Sequence, residues 1–111
     1  MNGNLCDIEP MKFETENSYW IAEGTFFQTI LNAPYHILMD LFQVPMDGDG
    51  YKTQVEWQLM FEDGEVATIY DWKQHKPVGL NSIWNIGAKS LDIADRVVEL
   101  VRKEIESKQL V

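Results

Sequence analysis

"VEWQLMFEDGEVATIYDW", residues 55–72, decides the fold. It holds two runs in which apolar and polar residues alternate, joined by Asp63-Gly64. Alternation with period two is the signature of a strand buried on one face. An Asp-Gly pair supplies the positive φ that a two-residue type I′ turn needs at both central positions. The stretch therefore predicts a hairpin in which Glu62 faces Glu65. In that register Phe61 faces Val66, Leu59 faces Thr68, Trp57 faces Tyr70 and Val55 faces Trp72. Those eight side chains would form an aromatic face turned toward helices. The other face would carry Glu56, Gln58, Met60, Glu62, Glu65, Ala67, Ile69 and Asp71, acidic at its ends.

Upstream, residues 45–52 read "PMDGDGYK". A calcium loop beginning at Asp47 needs ligands at positions 1, 3 and 5, glycine at 6 and glutamate at 12. Asp49 fits position 3, but Tyr51, Lys52 and Gln58 occupy positions 5, 6 and 12. The segment reads as a turn with an acidic tip. Before it, "YHILMDLF" (35–42) places Ile37, Leu38, Leu41 and Phe42 on one helical face, and Pro45 forbids continuation. "FFQTILNA" (26–33), with apolar residues at 26, 27, 30 and 31, predicts a short helix ended by Pro34. Residues 17–24 read as a first strand and 1–11 as an N-terminal arm.

Downstream, residues 74–81 read as a loop and "SIWNIG" (82–87) as a last strand. Ser90 is placed to cap a final helix, with Leu91, Ala94, Val98, Val101 and Ile105 recurring at steps of three and four. The expected architecture is one α+β domain over 1–111. It is an antiparallel meander of three to four strands, with two short helices after the first strand and a long C-terminal helix on one face.

The chain has 111 residues and a net charge of −9. Residues 1–71 carry thirteen acidic and two basic side chains, −11, and residues 72–111 carry five acidic and seven basic, +2. Such a field argues against a nucleic-acid partner and favours a basic protein surface. No apolar run reaches the roughly 18 residues of a membrane span. One cysteine, Cys6, and an N-terminus without a basic and apolar leader make the cytosol the expected setting.

No cofactor and no metal is expected. The two histidines, His36 and His75, lie outside any metal-ligand spacing. Glu56 and Asp71, opposite one another in the register above, form a candidate acid–base pair. Tyr70, Trp72, Lys73 and Trp84 form a candidate ligand pocket in which aromatic rings stack and a lysine neutralises. Asp47, Asp49, Glu56, Glu62, Asp63, Glu65 and Asp71 form a candidate acidic interaction surface.

From Leu41 to Gly87, the pattern "LFQVP…GDGYKTQVEW…DG-VATIYDWK…IWNIG" resembles small bacteriophage proteins without assigned activity. Gln43 and Ala88 stand where that pattern carries glycine. A looser likeness joins the chain to modules of the β-lactamase-inhibitor-protein type, which bind proteins across a sheet. The −11 segment, the acidic sheet face and the absence of a catalytic constellation lead to the expectation of a non-enzymatic interaction protein, phage-encoded by the resemblance, that blocks a basic surface of a host protein by standing in for nucleic-acid phosphate. A nucleotide-binding homo-oligomer is the first alternative, and a small enzyme using Glu56 and Asp71 the second.

Overall fold

The computed structural model describes residues 13–15, 24–48, 50, 52–74 and 76–109. The expected arm, the expected strand over 17–24 apart from Gly24, and Cys6, Asp49 and His75 lie outside them. The elements run β1 (Phe13–Thr15), β2 (Phe26–Asn32), α1 (Tyr35–Phe42), β3 (Met46–Asp47), β4 (Val55–Phe61), β5 (Val66–Tyr70), β6 (Ile83–Ala88) and α2 (Leu91–Gln109). One antiparallel sheet has the order β1-β4-β5-β6-β2, and β3 pairs with β4 beside β1. The α+β class and the long C-terminal helix are as expected. The sheet is larger than the three to four strands expected, with six among the described residues.

The hairpin forms with a different turn. Phe61 N–H donates to the Glu65 carbonyl at 2.8 Å, and Gly64 N–H donates to the Phe61 carbonyl at 2.9 Å. The loop is thus Glu62-Asp63-Gly64, and only Gly64 has positive φ, +88°. This is the three-residue turn closed by a left-handed glycine. The pairing becomes Trp57 with Ile69, Leu59 with Ala67 and Glu56 with Tyr70. A one-residue slip turns a whole strand over. β4 keeps its expected inner face of Trp57, Leu59 and Phe61, all buried. β5 is reversed: Ala67 and Ile69 are buried in the core, while Val66, Thr68 and Tyr70 lie on the other face.

β2 is the second correction, since residues 26–32 form a strand and α1 stands alone before β3. Its register on β6 jumps between Phe27 and Thr29, so Gln28 is an extra residue. That bulge interrupts the alternation and leaves apolar residues at 26, 27, 30 and 31, a spacing that imitates a helix.

Both helices pack on one face. Leu31, Ile37, Leu38, Phe42, Trp57, Leu59, Phe61, Ile69, Trp84, Ile86, Ile93, Val97 and Val101 belong to a single buried cluster. The inner seam of α2 runs through Ile93, Ala94, Val97, Leu100 and Val101, one step round from the expected stripe, and Leu91 is exposed. Ser90 Oγ accepts the Ile93 N–H at 3.4 Å, as a cap should.

At the end of α1, Gln43 has φ 70° and ψ −161°. That region is essentially reserved for glycine, and a side chain there costs on the order of 1–3 kcal/mol. Two bonds hold it: Gln43 N–H to the Met39 carbonyl at 2.9 Å, and Trp57 Nε1–H to the Gln43 carbonyl at 2.8 Å. Both use backbone atoms of residue 43, so glycine preserves them. Gln43→Gly is expected to stabilise the fold by about 1 kcal/mol. Equilibrium urea denaturation checks this, and a loss of stability would show that the Gln43 side chain contributes more than its backbone strain costs.

Candidate functional site

The face turned away from the helices carries the site. Cross-strand pairing sets Glu56, Tyr70, Asn85 and Ile30 side by side across β4, β5, β6 and β2. The next row is Gln58, Thr68, Gly87 and Phe27. At Gly87 the Thr68 hydroxyl fills the space a side chain would take, since a Cβ there would lie 2.7 Å from Thr68 Oγ1. A shallow, open hollow of about 480 Å³ on this face is lined by Phe27, Ile30, Tyr70, Trp72 and Asn85. Small-molecule sites usually occupy roughly 300–1,000 Å³ and set a few polar groups among apolar walls.

Trp72 follows the end of β5 and forms one wall, the residue being 42 % exposed. It meets Tyr70 edge to face at 6.3 Å between centroids. The ammonium groups of Lys73 and Lys52 lie 5.5 Å and 5.8 Å from its ring centre. Lysines over an indole gain from its negative π face, and here they set local positive charge on an acidic protein. The wall is pinned: Lys73 N–H donates to the Lys52 carbonyl at 2.6 Å, and Gln54 Nε2 donates to the Lys76 carbonyl at 3.1 Å.

The floor is polar. Burial pushes the Tyr70 phenol up; a hydrogen bond with Asn85 opposes this and the Glu56 charge reinforces it. Tyr70 is therefore a neutral hydrogen-bonding group at pH 7, unsuited to act as a base. Glu56 Oε2 accepts from Gln58 Nε2 at 2.7 Å. Gln58 is buried and its Oε1 has no partner among the described residues. The hollow thus offers stacking surfaces, an amide, a phenol and cationic rim groups.

The four residues of the expected pocket divide. Tyr70 and Trp72 line the hollow, and the Lys73 ammonium lies over the Trp72 ring. Trp84 lies on the opposite face, fully buried, with Nε1–H bonded to the Ala33 carbonyl at 2.9 Å. Its alternation along β6 with Asn85 sends neighbouring side chains to opposite faces. Phe27, Ile30 and Asn85 were not legible as site residues: the first two sat in an expected helix, and Asn85 joins the site only through the observed register.

The expected acidic surface also divides. Asp71 is fully buried on the helix side, where Oδ1 accepts the backbone N–H groups of Gln54 at 2.7 Å and Val55 at 3.1 Å. It is not opposite Glu56, and the two carboxylates lie on opposite faces, so the expected acid–base pair does not form. Asp63, at the hairpin tip, takes a two-pronged bond from Arg96 of α2 at 3.0 and 2.9 Å. That bond holds the Asp63 carboxyl below its ordinary range. The contribution of this exposed pair is present at neutral pH and fades as pH falls through the carboxylate range. Glu62 is exposed and Glu65 half-buried at the same tip, while exposed Asp47 in β3 pairs with Val55 at the other end of β4, and Asp49 lies outside the described residues.

Among the described residues no cluster of three or more His, Cys, Asp or Glu could hold a metal ion, and no helix is long and apolar enough to cross a membrane. Between β3 and β4, Gly48 N–H bonds the Gln54 carbonyl and Gly50 N–H the Thr53 carbonyl, each at 2.9 Å. Comparison with protein-family models, curated proteins and solved structures returns no match.

Proposed function

We propose that this chain is a non-enzymatic binding protein that holds a flat, hydrogen-bonding anion of the nucleotide class against its helix-free sheet face. The observation that carries the reading is Trp72, half exposed at the wall of an aromatic hollow with two lysine ammonium groups over its ring. A base or similar ring would stack on Trp72 and Phe27. Asn85, Tyr70 and Glu56 would meet its polar edge, and Lys73 would face its phosphate. The net charge of −9 repels a long polyanion. A mononucleotide close to Lys73 feels mainly the local charge, because charges beyond about 8 Å are screened at physiological salt.

The reading of an acidic inhibitor has less support, since its carboxylates are spread over both ends of the hairpin and one is buried. The discriminating experiment is calorimetric titration with a panel of purine and pyrimidine mononucleotides at about 0.15 M salt. Saturable binding of at least one is expected. Stacking of a base on an aromatic ring is worth about 1–3 kcal/mol, so Trp72→Ala should weaken it roughly 5- to 100-fold. Heat changes absent across the panel, or an affinity unmoved by Trp72→Ala, would overturn the proposal.

A further inference from the structure

β2 ends the strand order, and among the described residues no strand pairs with its outer edge. The far side of the sheet ends instead in two short strands, β1 of three residues and β3 of two, both paired with β4. An uncovered edge is a row of free backbone donors and acceptors. Sheets of monomeric proteins commonly guard it with lysine, proline or very short strands. β2 has none of these: its seven residues, FFQTILN, contain no charge and no proline. Its one guard is the bulge at Gln28, whose Nε2 donates to the Ala88 carbonyl at 3.0 Å on the β6 side.

Charge distribution singles out what could add there. No Asp, Glu, Lys or Arg occurs over the 16 residues 24–39 or over the 12 residues 77–88. These two runs contain β2 and β6, adjacent in the sheet. In a chain of net charge −9, this end of the sheet is where two copies can meet without facing like charges. It is also where apolar side chains are exposed: Phe26 by 62 %, Phe27 by 51 %, Ile83 by 46 % and Ile30 by 45 %.

We infer that the chain forms a homodimer through antiparallel pairing of β2 with β2 of a second copy about a two-fold axis. Such an axis, perpendicular to the sheet, makes a self-complementary seam and keeps both helix layers on one side. The two hollows then open on the same face, with the Phe27 and Ile30 of each copy next to the seam. The dimer does not depend on the nucleotide reading, and its test uses no ligand.

Sedimentation equilibrium of the full chain over a concentration series is expected to give a mass rising from 12.9 kDa toward twice that value. Phe26→Lys combined with Asn32→Lys places like charges along the seam while sparing the hollow. Like charges set against each other across an interface cost several kcal/mol, so the dimer dissociation constant should rise more than tenfold. Hydrogen exchange on the unaltered chain gives a second readout that needs no folded variant: β2 amides should gain protection as concentration rises, while amides of α2 should not. A monomer at every concentration, a dimer untouched by the two lysines, or β2 exchange independent of concentration would each overturn the inference.

Discussion

Trp84→Ala is expected to lower the unfolding free energy by about 3–5 kcal/mol, the range for removing a large aromatic side chain from a packed core. Trp84 is fully buried, and its ring lies 5.4 Å from that of Trp57 in an edge-to-face contact and 6.0 Å from that of Tyr35 in a stacked one. Such pairs add to the area they bury, because ring edges and faces carry opposite partial charge. The indole also ties secondary structure together: Trp84 on β6 donates to the Ala33 carbonyl between β2 and α1, while Trp57 on β4 donates to the Gln43 carbonyl after α1. The two tryptophans thus hold both ends of α1 against the sheet. Natural domains of this size are stable by about 5–15 kcal/mol, so the variant should be partly unfolded or close to it. Trp84→Phe keeps most of the packing and loses the N–H bond, so its cost should be well below that of alanine. Equilibrium urea denaturation of both variants is the measurement. A loss below about 1 kcal/mol for Trp84→Ala would mean that residue 84 lies at a surface, as the candidate pocket read from sequence required.

The contrast between Trp84 and Trp72 shows which parts of this molecule are legible in its sequence. Both tryptophans flank the loop at residues 74–81 and both follow a strand pattern, so composition treats them alike. What separates them is strand parity. The alternation of Trp57, Leu59 and Phe61 identified the inner face of β4, because two or more large residues recur at period two. β5 carries the weaker pattern Val66, Ala67, Thr68, Ile69, Tyr70, in which both faces hold apolar residues. Its orientation hangs on the turn alone, and Asp63-Gly64 suits two turns that differ by one residue. The longer turn sends Tyr70 outward and Asp71 inward, and with them the whole account of the site. The bulge in β2 acts in the same way: one inserted residue disguises a strand as a helix and hides Phe27 and Ile30. The C-terminal helix and β6 were legible because their capping serine, glycine and apolar spacing agree with one another.

Asp71→Ala is expected to cost about 3 kcal/mol, although an alanine is added to a strand end of a protein rich in acidic residues. The reason is the pair of backbone N–H groups that Asp71 Oδ1 accepts, from Gln54 and Val55. Leaving a buried donor without an acceptor costs about 1–3 kcal/mol, and here there are two. Asp71→Asn retains an oxygen that can accept both bonds. It also removes a charge from a buried position where Oδ2 has no partner among the described residues. Its cost should therefore stay within about 1 kcal/mol. A surface carboxylate behaves otherwise, since either substitution there would fall within about 0.5 kcal/mol of neutral. Urea denaturation of the two variants separates these cases by their difference as well as by their size. The consequence reaches the hollow, because Asp71 immediately precedes Trp72 and fastens the end of β5 to the segment entering β4. Loss of that clamp should let the Trp72 wall move, and Asp71→Ala should weaken nucleotide binding while Asp71→Asn preserves it. Equal binding losses in the two variants would mean that the charge of Asp71, and not its acceptor oxygen, is what the site uses.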